Sequence, residues 1–210
     1  MKNKIIIIIL IIAVIALAVV IGFYFIQKNK SSINSVENTL LPTQSGASNP
    51  TSAEQSQNKL VTDNFEIDLP AGWRQTMPAM GTSAMAVNAN EQLNDPAAQK
   101  INFRTYFAVS YDNLQEKSLS EYLQGVKNQL RQTISNAVFT QENAVTINDK
   151  AARAVEINLT QQGVNYKVLM ILVAGKEDDV WVMSFNTIED SWDEYQETFS
   201  SIAKSFSLKK

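Results

Sequence analysis

The sequence predicts an α+β fold, an antiparallel β-sheet flanked by helices and preceded by one transmembrane helix and a disordered linker. Three observations carry this expectation. Residues Ile5 to Ile26 form one uninterrupted apolar run without a charge. Between Ala151 and Asn186, strand-like runs in which apolar and polar residues alternate are separated by short turns, the period of half-buried strands. Two other segments repeat apolar residues every three or four positions, the period of helices that lie on a sheet.

The apolar run comes first. Its 22 residues, at about 1.5 Å each, make a helix of roughly 33 Å, enough to cross the hydrocarbon core of a bilayer. Lys2, Lys4 and the small-x-small Ala16-Leu17-Ala18 also fit a cleavable secretory signal. The run continues eight residues past Ala18, whereas a signal's apolar region spans roughly 7–15 residues, which favours an uncleaved signal anchor. Lys28 and Lys30 beyond the span nearly balance Lys2 and Lys4, so flanking charge biases orientation only slightly. The short stub, residues 1–4, and the large body favour a cytoplasmic start and an extracytoplasmic C-terminal domain. Tyr24 and Phe25 then sit at the outer interface. The expected location is the cell membrane, single-pass, with the lipid bilayer contacted through residues 5–26.

Residues 27–59 change composition to Ser, Asn, Thr, Gln, Gly and Pro, with Leu40-Leu41 as the lone apolar cluster. Such a segment buries too little apolar surface to offset its ordering entropy. It is expected to be a flexible tether with an r.m.s. reach of roughly 30 Å.

The globular domain is expected over 60–210, about 150 residues and a comfortable single domain. Phe65, Ile67 and Leu69 alternate with Glu66 and Asp68 as an opening strand, which Pro70-Ala71-Gly72 stops with a turn before Trp73. Gln75–Lys100 is weakly patterned, rich in Met, Ala and Asn, and is expected to be loop-like. Asn102–Tyr111 carries β-formers. Ser118 and Glu121 make a capping box, and Leu119, Tyr122, Leu123, Val126, Leu130 and Ile134 continue at helical spacing. Four strands follow, near Val138–Ile147, Ala151–Gln161, Asn165–Ala174 and Val180–Asn186. The short connections at Gln161-Gln162-Gly163 and Gly175–Asp179 make them antiparallel neighbours. Ile171 and Val173 are apolar as well as Met170 and Leu172, which predicts a central strand covered on both faces. A last helix, about Asp190–Lys204, repeats Trp192, Tyr195, Phe199 and Ile202, with Ser191 and Glu194 in the positions of a second capping box.

Composition narrows function. With no cysteine and no histidine, the chain has no disulfide, no thiolate nucleophile or ligand, and neither the commonest general base nor the commonest metal ligand. Setting aside Lys2, Lys4, Lys28 and Lys30, 14 basic residues face 21 acidic ones, a formal charge of −7. Such a body is repelled by nucleic acid, which is not an expected partner.

The opening Phe65-Glu66-Ile67-Asp68-Leu69-Pro70-Ala71-Gly72-Trp73 and the closing Ser191-Trp192-Asp193-Glu194-Tyr195, Phe199, Ile202 and Ser205-Phe206 resemble the two ends of the PsbP-like family. The resemblance spans about Asn64 to Leu208. It implies an α/β/α sandwich and, since known members act as binding or assembly factors, a non-enzymatic role. The metal association of photosynthetic members rests partly on histidine, and none is available here to carry it.

The motifs for chemistry are few. Met77, Met80 and Met85 include an M-x-x-M spacing that thioether Cu(I) sites use, but with no Cys or His beside them the signal is weak and apolar filling or an adaptable contact loop is favoured. Glu177-Asp178-Asp179 lacks the alternating spacing of a Ca²⁺ loop and fits a solvated turn. Glu189, Asp190, Asp193 and Glu194 suit helix-start electrostatics. Asn158-Leu159-Thr160 matches a glycosylation acceptor but falls inside an expected strand. No G-x-S-x-G or Gly-rich phosphate loop is present. No cofactor or metal site is expected. The leading expectation is a membrane-tethered, non-catalytic domain that engages a protein or envelope partner through Gln75–Lys100. Met77, Met80 and Met85 are the candidate contacts, with Trp73 as either an anchor or a core residue. The alternative is a small-ligand or metal-binding sensor module with a pocket under the same loop.

Overall fold

The computed structural model describes residues 58–79 and 81–209. The apolar run Ile5–Ile26, the tether up to residue 57 and Met80 lie outside them. Among the described residues no helix is long and apolar enough to cross a membrane.

Strands β1 (Asn58–Val61) and β2 (Phe65–Leu69) pair antiparallel, and β10 (Ser207–Leu208) joins the other edge of β2. The large sheet has seven antiparallel strands in the order β3-β4-β5-β9-β8-β7-β6. These are β3 (Trp73–Thr76), β4 (Ala84–Asn88), β5 (Tyr106–Asn113), β6 (Val138–Ile147), β7 (Lys150–Gln161), β8 (Val164–Ala174) and β9 (Asp179–Ile188). Helix α1 (Pro96–Lys100) lies between β4 and β5, α2 (Leu119–Thr133) carries the chain from β5 to the far edge at β6, and α3 (Trp192–Ser205) follows β9.

Local chemistry explains the long hairpins. Asn148 and Asn-like Asp149 take φ of 43° and 61°, and Gln162 and Gly163 take 51° and 79°. Two consecutive positive φ values match the twist of the flanking strands, so β6, β7 and β8 return on tight turns. Ser118 caps α2 by accepting from the Glu121 N–H, and Glu121 accepts from the Ser118 N–H, completing the expected box.

Two expectations need correction. Gln75–Lys100 is not a loop throughout, since it contains the end of β3, all of β4 and α1. In β4, Ala84, Met85 and Ala86 are buried in succession because both faces are covered, so no alternation marks the strand. Ser191 makes no capping hydrogen bond. It ends a 3₁₀ turn, Glu189–Ser191, with φ −96° and ψ 1°, outside the extended backbone a cap requires.

Two cores sandwich the large sheet. On one face, Tyr122, Leu123, Val126 and Leu130 of α2 pack with Val155, Ile157, Val168, Met170 and Leu172. On the other, Tyr195, Phe199 and Ile202 of α3 meet Phe65 and Ile67 of the small sheet and Phe107 and Phe185 of the large one. Ile171 and Val173 belong to the second core and Met170 and Leu172 to the first, so β8 is covered on both faces as expected. Each such side chain stabilises the fold by about 1.5–3 kcal/mol on burial.

Candidate functional site

The Gln75–Lys100 region divides between two ends of the sheet. At one end the β3–β4 hairpin tip carries Met77, which is 78% exposed. Trp73 and Met85 do not share that surface. Trp73 is buried against Phe107, Tyr195 and Phe199, with ring centroids 5.8, 6.5 and 6.4 Å away, and Met85 is buried beneath the opposite face. They therefore serve packing and supply no contact surface, and Met77 and Met85 do not converge as thioether ligands. Met80 lies outside the described residues.

At the other end, the chain from β4 to β5 (89–105) folds over the sheet margin. Glu91 fixes it. One carboxylate oxygen accepts from the Thr105 N–H, and Oε1 accepts from the Thr105 hydroxyl at 2.5 Å. That hydroxyl also lies 2.8 Å from the Thr187 hydroxyl at the end of β9. Arg104 Nη1 donates to the carbonyls of Ala89 and Glu91 at 3.0 and 2.9 Å, clamping the loop from outside. Asn88 donates to the Tyr195 hydroxyl at 2.8 Å, which ties the loop root to α3. Burial, and then the charge of Glu91, hold Tyr195 in its protonated form well above the usual phenol range.

Helix α1 is set by its ends. Asp95 accepts from the Ala98 N–H at 2.6 Å, and Pro96 opens the helix where no donor is needed. Asn102 takes φ 51° after the last turn, and the Phe103 N–H returns to the Ala98 carbonyl at 2.9 Å. Gln99 Nε2 reaches back to the Leu93 carbonyl at 2.5 Å. The Phe103 ring is held edge-on to Tyr106 and Tyr166, at 6.2 and 5.1 Å.

These constraints leave a groove of about 380 Å³ along the loop. Its wall is an amide set, Gln92, Asn94, Gln99 and Asn102, framed by Glu91 and Arg104, with Leu93 and Phe103 as the apolar members. The side-chain amides of Gln92, Asn94 and Asn102 make no hydrogen bond to another described residue, and all three residues are exposed. The arrangement offers donors and acceptors to a ligand. Both carboxylate oxygens of Glu91 are engaged, so it acts as a brace.

The acidic runs have structural partners. The Asp178 carboxylate accepts from the Glu116 N–H at 3.0 and 3.1 Å, and Asp179 accepts from the Tyr111 hydroxyl at 2.6 Å. Glu189 accepts from Asn158 at 2.8 Å, which occupies the glycosylation-like asparagine within β7. Among the described residues no three acidic side chains gather in a way that could hold a metal ion.

A family model described as PsbP matches residues 60–208. The chain belongs to the PsbP family. Its PsbP domain is similar in structure to LpqN, described as involved in cell envelope biogenesis of Mycobacterium tuberculosis. That match has 14% identity and a TM-score of 0.54, and covers 70% of this chain and 83% of LpqN. The domain is also similar to the cyanobacterial PsbP protein CyanoP of Synechocystis sp. PCC 6803, at 15% identity and a TM-score of 0.52, covering 72% of this chain and 92% of CyanoP. At these identities the likeness is one of fold. No curated protein matches the sequence.

The groove escaped the sequence because Asn and Gln scattered over 92–102 carry no spacing rule. The signal that was present, Asp95-Pro96, marks a helix start.

Proposed function

We propose that this PsbP-family protein is a membrane-tethered, extracytoplasmic binding domain that engages a protein or envelope component without catalysis. The observation that carries this reading is the braced groove between β4 and β5. There a short helix and a left-handed asparagine hold unpaired amides outward while Glu91 and Arg104 lock the frame. The apolar run Ile5–Ile26 supports the tethering, which would raise the local concentration of the domain near the membrane. Membership in a family of binding and assembly proteins, and the envelope role stated for LpqN, support the role class.

The test is position-specific photo-crosslinking with the full-length protein in native membranes. A photoreactive residue at Asn94 is expected to capture one defined envelope component, competed by excess unlabelled protein. The same group at Gln124, exposed on α2, is expected to capture none. Equal products from both positions, or none from Asn94, would overturn the assignment of the contact.

A further inference from the structure

The chemistry of the groove narrows its ligand. We propose that it recognises a neutral saccharide, an inference that rests on the binding-domain reading and names its ligand class.

The wall is neutral overall. Glu91 and Arg104 are the two ionic side chains of the wall and are opposite in sign, so they leave no net field to select an ion. Both are also committed to the loop itself, Glu91 to Thr105 and Arg104 Nη1 to two backbone carbonyls.

The amide set calls for a ligand rich in paired donors and acceptors. A carboxamide presents a donor and an acceptor side by side. A ligand that satisfies several amides at once must carry groups that donate and accept at short spacing, which is the chemistry of neighbouring sugar hydroxyls. Gln92, Asn94 and Asn102 have that capacity unspent. A peptide ligand needs apolar pockets for alternate side chains, and this wall has Leu93 and the nearly buried Phe103 alone.

Size and rigidity also suit a small ligand. About 380 Å³ lies within the range of small-ligand sites. The Asp95 cap, the Gln99–Leu93 bond and the edge-on packing of Phe103 hold the wall before any ligand arrives, which lowers the entropic cost of binding.

The experiment uses the full-length protein in lipid nanodiscs. Ligand-observed NMR and calorimetry are run with two neutral trisaccharides, maltotriose and the N-acetylglucosamine trimer, and with an acidic galacturonic acid trimer. At least one neutral trimer is expected to bind, and to bind more tightly than the acidic one. Two variants locate the site. Asn102→Gly combined with Asn94→Ala removes two amides, and glycine accepts the positive φ at 102. Gln92→Ala combined with Asn94→Ala alters exposed side chains alone. Each pair is expected to weaken binding at least about tenfold, because every net hydrogen bond lost accounts for roughly a few-fold in affinity. Gln124→Ala with Asn128→Ala on α2 is expected to change nothing. Absence of neutral-trimer binding, equal binding of the acidic trimer, or binding unmoved by both groove variants would overturn the saccharide assignment. If a cross-link from Asn94 still captures a defined protein, the binding-domain reading stands and its ligand class is the part that fails. If neither occurs, both fail.

Discussion

Thr105 satisfies both oxygens of the Glu91 carboxylate, one with its backbone N–H and the other with its hydroxyl at 2.5 Å. With that hydroxyl proton given to Glu91, the Thr187 hydroxyl is left to donate to Thr105 at 2.8 Å. Glu91 and Thr105 at the two ends of the loop and Thr187 of β9 thus form one relay at a site where Thr105 and Thr187 are fully buried. Thr105→Val keeps the shape and the backbone N–H bond to Glu91 but deletes both hydroxyl bonds, to Glu91 and to Thr187. Leaving buried partners unsatisfied costs about 1–3 kcal/mol. The midpoint of urea unfolding should fall accordingly, and hydrogen exchange should quicken in 89–104. An unchanged midpoint would mean that the backbone N–H of Thr105 and the Arg104 clamp hold the loop without the hydroxyl relay.

The two capping-box patterns should behave differently on mutation. Ser118→Ala removes a formed cap and is expected to cost about 1 kcal/mol. Ser191→Ala removes no cap hydrogen bond and should stay within about 0.5 kcal/mol. Thermal unfolding of the two variants side by side decides this, and similar losses would show that Ser191 caps α3 in solution.

Tyr166 presents a buried hydroxyl with no hydrogen-bond partner among the described residues. Removing an unsatisfied buried polar group relieves its desolvation cost, so Tyr166→Phe should stabilise the domain by about 1 kcal/mol. A loss of stability instead would point to an ordered water at that hydroxyl.

The same residue sets an alkaline dependence. Burial, and then the charge of Asp95, push the Tyr166 phenol up to about 12 from its ordinary 10.0. The raised value favours the protonated form in the folded state. Its contribution is complete below pH 10 and is lost as pH rises from 10 towards 12, where the unfolded chain has released its proton first. Tyr122 and Tyr195 shift in the same direction, chiefly through burial. The melting temperature should therefore fall above pH 10, and less steeply in Tyr166→Phe. An identical slope in both proteins would remove Tyr166 from the account.

Trp73 and Met77 test the reassignment of the Met-rich region. Trp73→Ala opens a cavity among Phe107, Tyr195 and Phe199 and should cost about 3–5 kcal/mol. Met77→Ala, at an exposed hairpin tip, should lie within about 0.5 kcal/mol of the parent. Chemical denaturation measures both, and comparable losses would contradict the exposure of Met77.

Much of the fold was legible in residue order. The span Val138–Ile147 agrees with β6 residue for residue, and α2 begins at its capping box; alternation is plainest in β2 and β7, where one face is dry and the other wetter. The pattern fails where that contrast vanishes. β4 is covered on both faces and built partly from alanine, and α1 is too short at five residues to show a period. β10 is two residues long, and its existence depends on β2 lying beside it. The candidate site was legible only as a region. Trp73 and Met85 proved to be core, and the residues that shape the groove act through Glu91–Thr105 and Arg104–Ala89 contacts between segments 14 and 15 residues apart, which local sequence does not encode.

The pairing of β10 with β2 has a consequence for biosynthesis. Ser207 and Leu208 lie opposite Glu66 and Phe65, and the Lys209 N–H donates to the Asn64 carbonyl at 2.8 Å. One edge of β2 therefore waits open while some 140 intervening residues are translated. During that interval β2 offers a free template to any other extended chain nearby. Truncation just before Ser207 would leave that edge permanently open, and self-association should be its first symptom.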